Sequence, residues 1–126
     1  MNALGGPLVG LTILVIASDL DSIQSLIGSL RSFGAVVVFL HSAAIALAYS
    51  ERHPVDVVLV DLREPDWSST PEVRALRSLT RVPIYAMTET TDRMLHPSAE
   101  IAGYFSKPVP VDALIAMLSA LPRRAR

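Results

Sequence analysis

The sequence predicts a doubly wound α/β domain, in which a five-stranded parallel sheet is covered on both faces by helices. Three observations predict it. Short apolar runs rich in β-branched residues recur along the chain, without the polar alternation of a half-solvated sheet. Between them lie segments with apolar residues at helical spacing. Capping residues, glycine and proline punctuate the boundaries. Strand followed by helix, five times over, requires parallel strands, and right-handed crossovers place helices on both faces.

Leu11 to Ile16 is nearly all apolar and reads as the first strand. Ile23, Leu26, Ile27, Leu30 and Phe33 form one stripe of the first helix. Asp21 with Gln24 has capping-box spacing, and Gly34 is placed to stop that helix. Ala35 to Leu40 reads as a second buried strand. Ser42 then caps an alanine-rich helix that ends before Pro54. Asp56 to Val60 is the third strand, with Asp61 at its C-terminal end. Leu62 to Ser69 is a loop, and Thr70-Pro71 opens a short helix through Leu79. Val82 to Met87 is the fourth strand. Pro97 interrupts the segment Thr88 to Ala102, so the fourth helix is expected to be shortened or irregular. Gly103 to Ser106 is the fifth strand. Val111 to Leu121 is the last helix, with Leu114, Ile115, Leu118 and Leu121 on one side. Residues 1–10, with three glycines and a proline, read as a flexible lead-in, 11–121 as the domain, and 122–126 as a basic tail or the start of a linker.

The chain has 126 residues, 51% hydrophobic and 18% charged, which suits one domain with a sizeable core. A net charge of −1 gives no electrostatic reason to expect nucleic acid or an anionic membrane. The basic cluster Arg123, Arg124 and Arg126 reads as a solvated end. Absence of cysteine excludes disulfides and thiolate chemistry, and it suits a reducing cytoplasm. The run Leu11 to Ala17 is too short to span a bilayer, and no signal-peptide pattern precedes it, so a cytoplasmic protein is expected.

In doubly wound sheets, chemistry collects at the C-terminal ends of the strands. Here those ends are Ala17-Ser18, Asp61, Thr88 and Lys107. Val58-Leu-Val-Asp61-Leu62 with Pro65, Pro83-Ile-Tyr-Ala-Met-Thr88 and Tyr104-Phe-Ser-Lys107-Pro108 follow one another in order. Together they resemble the receiver domain of two-component signalling over roughly Leu11 to Leu121. The resemblance implies the flavodoxin-like (βα)5 fold. It implies a phosphoacceptor role for Asp61, a phosphate-sensing hydroxyl at Thr88, a charge-neutralising Lys107 and an aromatic switch at Tyr104. It also implies a cis-proline turn at Lys107-Pro108. Such a site acts by positioning and by neutralising the charge of a phosphoryl group.

The resemblance further implies a divalent cation held by Asp61 and two adjacent acids after the first strand. Those positions hold Ala17 and Ser18, neither a good Mg²⁺ ligand. Asp19 and Asp21, just downstream, are potential substitutes but read better as helix caps. With the acids gone, Asp61 and Lys107 would form a neutral pair without metal, so no cofactor is expected. Glu89 after Thr88 would repel an incoming phosphoryl group. Arg63 would crowd the site or pair with Glu64 or Glu89. His41, His53 and His96 match no metal spacing. Trp67 reads as a lid over local apolar surface or a partner anchor.

The sequence therefore favours a pseudo-receiver, not an enzyme, acting through protein–protein interaction. Its partner, a histidine kinase or an output domain, would use the fourth helix, fifth strand and fifth helix, and the same face would serve a homodimer. The alternative is a phosphorylation-competent receiver that uses Mg²⁺ and accepts phosphoryl from a histidine kinase on Asp61. An unrelated small-molecule binder is a third reading, though Ala17 to Asp21 has no glycine-rich phosphate loop.

Overall fold

A computed structural model describes residues 6–61, 81–88 and 101–122. Strands β1 (Thr12–Ile16), β2 (Val36–Leu40), β3 (Val57–Asp61), β4 (Ile84–Thr88) and β5 (Gly103–Ser106) form one sheet in the order β2-β1-β3-β4-β5. Every pairing is parallel. The described helices are α1 (Leu20–Ser32), α2 (Ala43–Arg52) and α3 (Val111–Ser119), the last being the helix read as the fifth. The Thr70–Leu79 helix and most of the expected fourth helix lie outside the described residues, as do Arg63, Trp67, Glu89 and His96.

Successive strand residues feed two cores. Ile13, Val15, Ala17, Val57, Leu59 and Met87 pack with Ile23, Leu26, Ile27 and Leu30 of α1 and Leu114 and Leu118 of α3. Leu14, Ile16, Val58, Val60, Ile84 and Ala86 pack on the opposite face with Ala43 and Ala46 of α2. Burial on both faces is why the strands lack polar alternation. β2 is an edge strand and not the buried one expected, with Val36 58% exposed, because only β1 pairs with it.

The caps show one correction. Asp19, not Asp21, is the N-cap of α1: its Oδ1 accepts the Asp21 N–H at 3.0 Å. Asp21 lies in the first turn, and aspartate suits either position. Ser42 caps α2 as expected, accepting from the Ile45 N–H at 3.2 Å. Gly34 follows α1 with φ +106°, where a Cβ would come within 2.6 Å of Val9 Cγ2. Packing also extends into the segment read as a lead-in. Leu8 is fully buried, and its N–H donates to Phe33 O at 3.0 Å.

Candidate functional site

The parallel register brings the predicted positions to one edge of the sheet. Ile16 aligns with Leu40 and Val60, Asp61 with Met87, and Thr88 with Ser106. Asp61 ends β3. Lys107 follows β5, and its backbone N–H donates to Thr88 O at 2.7 Å. The Lys107 Nζ donates to Asp61 Oδ1, forming an ion pair. The Asp61 side chain is 1% exposed and that of Lys107 23%. Asp61 Oδ2 is buried and has no hydrogen-bond partner among the described residues. The Lys107–Pro108 peptide is cis.

Ala17 and Ser18 occupy the end of β1. Ala17 is buried, and its N–H donates to Leu40 O at 3.2 Å. Ser18 and Asp21 are exposed, and the Asp19 carboxylate is engaged by the start of α1. Among the described residues, no three His, Asp or Glu side chains gather as a metal-binding group. Thr88 is buried at the end of β4, and Tyr104 packs half-buried against the α2-side core. His41 meets Phe39 edge-on and His53 stacks on Tyr49, so both have aromatic neighbours.

Sequence reasoning missed a cleft of about 250 Å³ beside the ion pair. Ser22, Ile23, Ser25 and Leu26 of α1 form one wall. Met87, Pro108, Val109, Val111, Asp61 and Lys107 complete the lining. The apolar stripe of α1 hinted at a buried face, but no local signal marks a gap between segments so far apart in sequence.

Fold and site together define a flavodoxin-like domain with an acid–lysine pair at the carboxyl edge of its sheet. No protein-family model matches the chain. The chain is 30% identical to the receiver domain of the sensor histidine kinase PA1611 from Pseudomonas aeruginosa PAO1. That similarity covers 90% of this chain and 98% of the other, with a TM-score of 0.67. The PA1611 structure has a magnesium ion coordinated in its active site cleft. A two-component response regulator from Clostridium difficile shares the fold, with a TM-score of 0.73 at 23% identity, over 87% of this chain and 93% of the other. The transcriptional regulatory protein KdpE of Mycobacterium tuberculosis is 31% identical over 115 residues, 89% of this chain and 51% of KdpE. The sensory transduction protein RegX3 of Mycolicibacterium smegmatis is 30% identical over 118 residues, 90% of this chain and 52% of RegX3. The chain thus spans about half the length of these two relatives. This chain belongs to the receiver-domain family of two-component signalling. No described helix is long and apolar enough to cross a membrane.

Proposed function

We propose that this chain is an atypical receiver, a pseudo-receiver, that signals mainly through protein–protein interaction and not as an enzyme. The closure of Asp61 carries this reading. A phosphoacceptor must present a carboxylate oxygen in line with the leaving group. Here Oδ1 is taken by Lys107 and Oδ2 is buried.

The donor set supports the same reading. Mg²⁺ demands octahedral oxygen coordination and is usually anchored by carboxylates. Ala17 has no donor, Ser18 is neutral, and Asp19 already caps α1. The described residues therefore do not fit an acid-rich cation site, and no cofactor is assigned.

The partner would be a histidine kinase or an output domain, met in the cytoplasm through β5, α3 and the segment before them. The outward residues Asp112, Ala113, Ala116 and Ser119 of α3 are polar or small. The described large apolar exposures lie elsewhere, at Val9, Leu20, Phe33, Val36 and Ile45. Recognition or homodimerisation on α3 would then rest on close approach and hydrogen bonding, not on an apolar patch.

The second reading is a working phosphoacceptor, favoured by Asp61, Thr88 and Lys107 meeting at one edge. Asp61 would accept phosphoryl from a kinase histidine, and water would later hydrolyse the acyl phosphate. Intact mass after incubation with acetyl phosphate, with and without Mg²⁺, separates the readings. We expect no adduct; an Mg²⁺-dependent adduct that disappears in Asp61→Asn establishes the second reading.

A further inference from the structure

We propose that the cleft beside the Asp61–Lys107 pair binds a small neutral molecule, an apolar body carrying a carbonyl acceptor such as a carboxamide. Its volume of about 250 Å³ suits a ligand of fragment size. Leu26 and Met87, both buried core residues, and Val109 supply apolar wall. Lys107 supplies the polar anchor. Its ammonium carries three N–H donors, one directed to Asp61 Oδ1, and no described residue takes the other two.

The electrostatics select a neutral head. Asp61 already balances the charge of Lys107, so an anion entering the cleft loses its hydration without gaining a net counter-charge. The Asp19 carboxylate occupies the N-terminus of α1, where an anion would otherwise be favoured, and Asp21 adds a second negative charge. A cation would meet the like charge of the Lys107 ammonium beside a carboxylate already balanced by it. A neutral carbonyl meets none of these costs and accepts from the ammonium N–H groups that no described residue takes.

The inference rests on the metal-independent reading of the site, and its test keeps the two apart. Benzamide is titrated into the ¹⁵N-labelled chain in EDTA, and backbone amide shifts are followed by NMR. Saturable shifts at Ser25, Leu26 and Val109 are expected, with a Kd on the order of millimolar, as suits so small a ligand. Benzoate should bind at least about tenfold more weakly, through desolvation without charge gain. Ser25→Tyr, at an exposed helix position on the cleft rim, should fill the space and abolish the shifts. Absence of saturable benzamide shifts, equal or tighter binding of benzoate, or unchanged binding in Ser25→Tyr overturns the proposal. Separately, Mg²⁺-induced shifts around Asp61 in EDTA-free buffer would overturn the metal-independent reading and leave the benzamide result to stand by itself.

Discussion

Replacement of Lys107 by methionine isolates what the ion pair contributes. The variant keeps most of the side-chain volume and removes the charge. The Asp61 side chain, 1% exposed, would lose the single described partner of Oδ1 and remain a carboxylate out of water. Oδ2 is already unpartnered in the wild type and so cancels from the difference. Stranding one member of a buried pair costs about 3–5 kcal/mol. Because Lys107 is 23% exposed and water can reach part of the gap, about 3 kcal/mol is the working value. For a domain of this size that corresponds to a fall in Tm of about 10 °C. The double variant Asp61→Leu/Lys107→Met replaces the pair with apolar side chains and should lie within about 1 kcal/mol of wild type. Both variants are measured by urea unfolding with far-UV circular dichroism. A loss below about 1 kcal/mol for Lys107→Met would refute the reasoning, since Asp61 would then be solvated or neutral and not closed by the lysine.

Three further outcomes are expected. Ala17→Asp with Ser18→Asp places acids where the receiver resemblance implies them: it should be less stable than wild type in EDTA, because position 17 is buried, and gain about 1.4 kcal/mol at Mg²⁺ tenfold above Kd. A thermal melt with no Mg²⁺-dependent rise would count against the placement of these two positions. Asp19→Ala should cost about 1 kcal/mol through loss of the α1 cap, read by chemical denaturation, while Asp21→Ala should cost less. Leu8→Ala should cost about 2–5 kcal/mol in the same assay if its packing forms part of the domain.

The number and parallel direction of the strands were legible because each apolar run is short, branched and followed by helical spacing. The parallel topology placed Asp61, Thr88 and Lys107 at one carboxyl edge, while the Asp61–Lys107 ion pair was implied by the receiver resemblance and the absence of neighbouring acids. Less could be read where several residues satisfy the same local rule. Asp19 and Asp21 are equally good caps, and the backbone turn at Leu20 decides between them. Val36 to Leu40 has the composition of a buried strand, yet composition does not say whether a strand has one neighbour or two. Leu8 sits among glycines and looked like a lead-in; its burial depends on contact with the far end of α1. The cleft is harder still, since its walls come from α1 and from the segment after β5.

Ala17 and Ser18 after the first strand and the presence of Asp61, Thr88 and Lys107 are not in conflict once the geometry is considered. Three carboxylates beside one lysine carry an excess of negative charge and need a cation; one carboxylate beside one lysine does not. Lys107 joins three strand ends: its chain follows β5, its N–H bonds to Thr88 O at the end of β4, and its ammonium bonds to Asp61 at the end of β3. The ammonium–carboxylate contact joins the ends of β5 and β3 without phosphoryl, so Asp61 and Lys107 have a structural role there, whereas the bond to Thr88 O is made by backbone alone. Their presence is therefore weak support for phosphorylation, whereas the burial of Asp61 Oδ2 bears directly on it, because a nucleophilic oxygen that solvent cannot reach is poorly placed to meet a phosphohistidine.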